Sequence, residues 1–372
     1  MFKVAVIGLG PAGAAALRRL SELGVEAIGI ERKHALESPT VCGEFLPEPE
    51  AIQFISHKPS VRMAFNYISL ARKLNAFDEI RLNIEGVRLF RMAVPGFTVS
   101  RRELVEKLVE RANYVLGDDV VCIRRLQNRY VIKTRRGKVL ESEYIIAADG
   151  YPSLTRRLLG CASKLEAKDL AIGVNMKMRT PNMSKRVVYM HASPQTPGGY
   201  AWIIPYEGEF SNVGIGIRYS YVKAGTNPIL LLKRFVELNP EGFLDSASSI
   251  ETPRSRWIPV SGFYAPPVCE KVLFAGDSLG ATNPINGGGI FTSMALGILA
   301  AEAVWLEKPE VYAERAWSEV GSILSVGRKY RKMVDFVFDH WQFSRLLKLA
   351  PAGLITKIIK GEKTALYYFL GS

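Results

Sequence analysis

Phe2 to Ile7 is a short unbroken apolar run, the form taken by a strand buried on both faces. Gly8-Leu9-Gly10-Pro11-Ala12-Gly13 follows. Ala14 to Leu23 then repeats apolar residues at helical spacing and Gly24 closes it. A second run, Val25 to Ile30, ends at Glu31 with Arg32 behind it. The pattern predicts a strand, a glycine turn, a helix and a second strand. Each glycine has its own task in such a unit. Gly8 permits the tight turn, Gly10 lets the backbone approach a pyrophosphate, and Gly13 lets the helix pack on the strand. The helix N-terminus after Pro11 and Ala12 offers free N–H groups and a positive dipole end to phosphates. Glu31, 23 positions after Gly8, is placed to accept hydrogen bonds from a ribose diol.

Beyond this unit the pattern alternates. Residues 40–98 are polar and proline-rich, with scattered short strands expected. Ser100 to Ala112 reads as a helix, with Ser100 as N-cap and Glu103 at the capping-box position. Val115–Ile123, Tyr130–Arg135 and Val139–Ala148 read as strands. Period-two strands then recur at Leu170–Met178, Arg186–His191, Tyr200–Pro205 and Ser211–Ile217, with one amphipathic helix at Pro228–Leu238. They predict a mostly antiparallel sheet with one covered face. Val272–Ala275 is another buried strand, and Ile285–Leu306 a long helix. The expected division is a discontinuous nucleotide-binding domain (1–60, 99–164 and 266–306), a sheet domain (61–98 and 165–265) and a helical C-terminal segment (307–372).

Composition narrows the function classes. The 372 residues carry 49 Lys+Arg against 36 Asp+Glu, a net charge of +13, which points to an anionic partner or surface. Cys42, Cys122, Cys161 and Cys269 are far apart and share no ligand spacing with a histidine, so no metal site is expected. The chain opens directly on a buried strand and holds no apolar run of membrane-spanning length, from which a reducing, cytosolic location is expected. Four Gln beside plentiful Lys, Arg and Glu resemble a thermophile's composition. Hydrolase and kinase signatures are absent from the sequence.

Two later motifs choose the cofactor. Ile145 to Gly150 is a buried strand ending in Asp149-Gly150, and Val272 to Asp277 is one ending in Gly276-Asp277. Asn283-Pro284-Ile285-Asn286-Gly287-Gly288-Gly289-Ile290 follows the second. Taken alone, Asp149-Gly150 is an ordinary strand-ending turn. In order and spacing, however, the three motifs resemble the flavoprotein monooxygenase-like superfamily with the para-hydroxybenzoate hydroxylase fold. The resemblance implies an α/β protein: a Rossmann-like FAD-binding domain, a second mostly antiparallel β-sheet substrate domain and a helical C-terminal segment. It implies that Gly8, Gly10, Gly13 and Glu31 hold the ADP half of FAD. Arg101 would lie beside the cofactor, and Asp277 would contact the ribityl chain. A helix opened by Gly287-Gly288-Gly289 also suits the negative charge of a reduced flavin.

Val41-Cys42-Gly43-Glu44 and Tyr200-Ala201-Trp202-Ile203-Ile204-Pro205 further resemble the geranylgeranyl reductase branch, with its Cys-Gly-x-Gly and Tyr-x-Trp-x-Phe-Pro motifs. Phe45 replaces the second glycine and Ile204 the phenylalanine. The branch implies hydride delivery from reduced flavin to a prenyl C=C bond of an isoprenoid lipid or prenyl diphosphate, of archaeal lipid type. NAD(P)H or ferredoxin would supply the electrons. The alternatives are an FAD-dependent monooxygenase of an aromatic or quinone-like substrate, and a flavin electron carrier. Tyr200 and Trp202 project to one sheet face, as pocket wall or as core. Cys42 is open to three roles: a buried hydrophobe, a proton donor or regulatory thiol, or half of a disulfide.

The charge is uneven. Nine Lys/Arg and three acids lie between Gly321 and Ser372, interleaved with Trp341, Phe343, Leu346, Leu349, Ile355 and, at the end, Leu370. This suits an interfacial helix on anionic lipid, hence a peripheral membrane contact on the cytoplasmic face, or a packed helix with a solvated basic side. Nucleic acid is not expected as a partner, because no binding module accompanies the charge.

Overall fold

The structure is a computed structural model that describes all residues except 38–39, 162, 224, 245–250 and 370–372, so Leu370 lies outside the described residues. Two sheets organise the chain. The first contains β1 (Phe2–Ile7), β2 (Ala27–Glu31), β6 (Tyr114–Leu116), β7 (Val120–Arg125), β8 (Tyr130–Thr134), β9 (Val139–Ala147), β15 (Val268–Cys269) and β16 (Val272–Phe274). Its order is β15-β16-β9-β1-β2-β6, parallel from β16 to β6, with the β7–β8 hairpin joined to β9. The first helix (Pro11–Glu22) and the helix Ile290–Trp305 pack together on this sheet, and Ala12, Ala14, Ala15 and Ala16 with Gly297 let their backbones approach closely.

The second sheet contains β3 (Phe45–Pro47), β4 (Lys73–Ile84), β5 (Arg88–Val99), β10 (Leu170–Arg179), β11 (Val187–Ala192), β12 (Tyr200–Pro205), β13 (Phe210–Arg218) and β14 (Arg254–Pro259). It is antiparallel throughout except where β11 runs parallel to β4. Strands β11 and β12 alternate strictly. Val187, Tyr189, Ala201 and Ile203 meet the helix Pro228–Leu238 on one face, while Val188, Met190, Tyr200, Trp202 and Ile204 point to the other.

Several elements differ from expectation. Residues 40–98 hold a hairpin of two long strands, β4 and β5, rather than scattered short ones. Gly96 sits inside β5, where a Cβ would lie 2.6 Å from the Leu46 carbonyl oxygen, so β3 can approach the strand closely there. The sheet domain was expected to begin at 61, but Pro59–Ile68 is a helix buried in the core of the first sheet. Val115–Ile123 is broken at Gly117, which has φ +66°, into β6 and β7. The long helix starts at Ile290 and not Ile285, since the preceding residues form the glycine turn. The second sheet is covered on both faces, because C-terminal residues such as Trp341, Leu347 and Ile355 pack against the side opposite Pro228–Leu238.

The C-terminal segment is clamped to the sheet by charge. Arg331, on the helix Ser322–Asp339, donates to Asp169 Oδ1 at 2.6 Å, and Arg218 of β13 donates to Asp335 Oδ1 at 2.8 Å. Arg331, Asp169 and Arg218 are buried, where an unpaired charge would be costly, and Asp335 is half-buried beside them. Among the described residues no helix is long and apolar enough to cross a membrane.

Candidate functional site

The C-terminal ends of the parallel strands converge with the second sheet on a cleft of ≈ 230 Å³. Of the predicted residues, Gly10, Pro11, Ala12, Cys42, Gly43, Arg101 and Gly150 line it from the first half of the chain. Tyr200, Trp202, Gly276, Asp277, Pro284, Gly287, Gly288, Gly289 and Ile290 line it from the second.

The glycine turn has the geometry its spacing predicts. Gly8 has φ +90°, and a Cβ there would lie 2.5 Å from the Ala148 carbonyl oxygen. A Cβ on Gly13 would lie 1.9 Å from the Gly8 carbonyl oxygen, so only glycine lets the helix sit this low on the strand. Gly10 is different: its nearest obstacle is a Glu37 oxygen at 3.4 Å, and its free side faces the cleft. No side chain caps the first helix, leaving its first N–H groups for a ligand. Glu31 braces this turn, accepting from Leu9 N at 2.7 Å and from Lys33 N at 2.9 Å.

Arg101 begins the helix Arg101–Val109, capped by Ser100. Glu103 N donates to Ser100 Oγ at 3.2 Å, but the Glu103 carboxylate turns to Arg72 N, so the capping box is half made. Arg101 Nη2 donates to Glu37 Oε2 at 2.8 Å, both buried, while its Nε is buried without a partner beside the cleft. Burial opposes the Arg101 charge, but Glu37, Cys42 and Glu44 overcome it and hold the guanidinium firmly protonated.

The Cys42-Gly43-Glu44 loop is suspended from the second sheet. Asn212 Nδ2 donates to the Cys42 carbonyl at 2.7 Å, and Asn175 Nδ2 to the same oxygen at 3.3 Å. Asn212 Oδ1 in turn accepts from Trp202 Nε1 at 2.9 Å. A Cβ on Gly43 would lie 2.8 Å from Ile204 Cδ1, so the residue that departs from the family pattern in one motif fits against the glycine kept in the other. Glu44 accepts from Arg101 N at 2.8 Å, and burial raises its carboxyl pKa. Phe45 enters β3 and packs at a tilt against Phe77, with ring centroids 4.9 Å apart.

Tyr200 and Trp202 do share a face, in edge contact at 6.0 Å, and Trp202 lies over Gly214, where a Cβ would fall 2.3 Å from its ring. The Tyr200 hydroxyl donates to the Asn286 carbonyl, joining the second sheet to the glycine turn. Burial raises the phenol's pKa, so it remains a donor. Asp277 accepts from Thr282 Oγ1 at 3.1 Å, and Arg256 Nη2 stands 3.6 Å from its other oxygen.

Five predicted residues do not line the cleft: Gly8, Gly13 and Glu31 shape and brace the turn behind it, and Asp149 and Arg32 are elsewhere. Asp149 accepts from Ser153 Oγ at 2.8 Å and from Thr155 N at 2.7 Å, so its carboxylate serves the start of the short helix Leu154–Leu158 and does not reach the cleft. Burial raises its pKa against those bonds. Arg32 is exposed and also stands off the cleft. Glu37, Asn175, Asn212 and Arg256 join the site without having been expected there. Asn175 and Asn212 did leave a signal, each a polar residue inside a buried strand.

A second cavity of ≈ 100 Å³ adjoins the first, sharing Phe45, Met190, Tyr200, Gly288, Gly289 and Ile290. Its other walls are mostly apolar: Ile80, Met92 and Val94 from the sheet, Ile52 and Ile55 beside β3, Ile323 and Ile359 from the C-terminal segment.

FAD fits these residues. Gly10 leaves the space a pyrophosphate needs, the first helix offers unclaimed N–H groups, and Arg101 Nε is an orphaned buried donor at the same wall.

Known proteins agree with this architecture. A family model for the geranylgeranyl reductase catalytic domain matches residues 169–252. A digeranylgeranylglycerophospholipid reductase from Methanocaldococcus jannaschii is 26% identical over 365 residues, 91% of this chain and 88% of that protein. One from Methanopyrus kandleri is 27% identical over 317 residues, 81% of this chain and 80% of the relative. Among solved structures, a geranylgeranyl bacteriochlorophyll reductase-like protein from Thermoplasma acidophilum has a TM-score of 0.80 at 19% identity, covering 96% of each chain. A probable FAD-dependent monooxygenase from Pseudomonas aeruginosa shares the fold at a TM-score of 0.65 and 16% identity, covering 92% of this chain and 98% of that one.

Proposed function

We propose that this chain, a flavoprotein of geranylgeranyl reductase type, saturates isolated C=C bonds in the geranylgeranyl chains of an isoprenoid lipid or its prenyl diphosphate precursor. The observation that carries the reading is the apolar cavity adjoining the glycine-lined cleft at Tyr200 and Gly288–Ile290. An isolated alkene has no polar handle, so it is held by shape in a site that excludes water. Ile80, Met92, Val94 and Ile55 supply that shape.

In this reading Gly8 and Gly13 shape the turn and Gly10 receives the pyrophosphate of FAD, with Arg101 and Arg256 as the nearby cations. Asp277 would hold the ribityl hydroxyls, and the N-terminus of the helix Ile290–Trp305 would stabilise negative charge on a reduced flavin. Bound FAD supplies the hydride. Tyr200 holds a proton at Oη on this wall, oriented by Asn286, and the two asparagines on the Cys42 carbonyl place the Cys42 side chain on the same wall. Trp202 closes the wall against water. The electron donor is NAD(P)H or a ferredoxin, for which the basic surface is suited, and the lipid substrate brings the chain to a membrane surface.

The test is anaerobic. Holoprotein reduced with dithionite and given geranylgeranyl lipid should yield product heavier by two hydrogens per bond saturated, read by mass spectrometry. A flavin that stays reduced beside unchanged lipid refutes the reading. Turnover that appears only on adding oxygen assigns a hydroxylase instead.

A further inference from the structure

The segment Trp341–Leu349 is a 3₁₀ helix, in which residues three apart eclipse one another. Its nine residues therefore sort into three stripes. Trp341, Ser344 and Leu347 face inward, and Trp341 and Leu347 pack on the cluster of Ile80, Met92 and Val94 that walls the apolar cavity. Gln342, Arg345 and Lys348 face solvent, as their polarity requires. The third stripe does not follow that rule. Phe343 is 43% exposed, Leu346 67% and Leu349 87%, three large apolar residues in one line. Phe336, 53% exposed on the preceding helix, stacks on Phe343 with centroids 5.8 Å apart and extends the patch.

Scattered exposed apolar residues need no explanation, but a contiguous stripe does. The neighbours of this one favour an anionic partner. Arg345 and Lys348 are exposed and form no ion pair with any described acid. Arg88 joins them, donating to the Lys348 carbonyl at 3.2 Å. A second copy of the chain would have to bring two such basic stripes together. An anionic lipid surface accepts the apolar stripe in its acyl boundary and the cations at its headgroups at once.

We propose that Trp341–Leu349 is the element by which this protein docks on an anionic bilayer, with Phe343, Leu346 and Leu349 inserted and Arg345, Lys348 and Arg88 at the headgroups. The inference rests on the reductase reading for its purpose: the inward stripe of this helix packs on the same apolar cluster whose Ile80, Met92 and Val94 wall the cavity, and Ile359 of the next helix lines that cavity itself.

The test uses full-length FAD-loaded protein and sucrose-gradient flotation with phosphatidylcholine vesicles, with and without phosphatidylglycerol. The wild type should float with the mixed vesicles and much less with phosphatidylcholine alone. Leu346→Ser with Leu349→Ser should weaken flotation by at least about tenfold, leaving the melting temperature and the turnover of detergent-dispersed substrate unchanged. Arg345→Glu with Lys348→Glu should abolish the preference for phosphatidylglycerol. Equal flotation of wild type and the double serine variant overturns the proposal. So does a wild type that does not float, or one that sediments as a dimer which the serine variant dissociates. Flotation is read without turnover, so docking and reduction fail separately.

Discussion

At the cofactor end of the cleft, Gly8, Gly10 and Gly13 fall within six consecutive residues and act through their own backbone. At the apolar end, the cavity wall is assembled from residues as distant as Phe45, Met92, Met190, Ile290 and Ile359. The difference is one of chemistry. A pyrophosphate is recognised by N–H groups and a dipole, which one turn provides. A prenyl chain is recognised by an enclosed apolar volume, which only tertiary packing provides. Substitutions at the first end should therefore act on cofactor affinity, and those at the second on turnover and stability.

Gly13→Val should produce the largest effect. The new Cβ meets the Gly8 carbonyl, so the turn must open. FAD affinity is expected to fall on the order of 100-fold, equivalent to about 3 kcal/mol, measured by titration of flavin fluorescence. Near wild-type affinity would show that the turn does not hold the cofactor. Asn212→Ala comes next. It removes the stronger hydrogen bond to the Cys42 carbonyl and the partner of Trp202 Nε1. We expect kcat to fall about tenfold with FAD affinity held. An equal loss in both would erase the distinction between the two ends.

Gly43→Ala tests the contact between the two motifs. It should lower stability by about 1–2 kcal/mol through collision with Ile204, and Ile204→Val should restore part of that loss. A thermal double-mutant cycle showing no coupling would remove the contact from consideration.

The smallest effect is expected at Glu44. Burial raises its carboxyl pKa, so the folded state holds that proton more tightly than the unfolded chain. The associated stability is present below the unfolded carboxyl pKa and is lost as pH rises through the higher folded value. Glu44→Gln keeps an acceptor for Arg101 N, so it should melt about 2 °C higher at neutral pH. The gain should vanish on acidification below the ordinary carboxylate range. A constant difference across pH would sink the assignment.

Much of this was legible in the sequence. The first β-α-β unit is written in contiguous residues, and Tyr200–Pro205 and Pro228–Leu238 match their observed bounds because alternation and capping are local. The β4–β5 hairpin was hidden by Pro95-Gly96 and by a register shift between Phe77 and Glu79, which breaks the alternation of β4. The position of Asp149 was open for a related reason. An acid after a strand serves a ligand or the next helix according to the turn between, and here Ser153 and Thr155 claim both oxygens. Glu37 and Arg101 are 64 residues apart, and only the fold pairs them.

The clamp of Arg331 on Asp169 and Arg218 on Asp335 has a consequence for heat. Water releases charged groups more readily as temperature rises, so the desolvation penalty of buried ion pairs shrinks, while the gain per area of apolar contact levels off. The joint that seats the C-terminal segment against the sheet is made of both kinds of contact. As the temperature climbs, a growing share of its hold passes to the four charges, and the roof of the apolar cavity stays seated after contacts made by oil alone have stopped gaining strength.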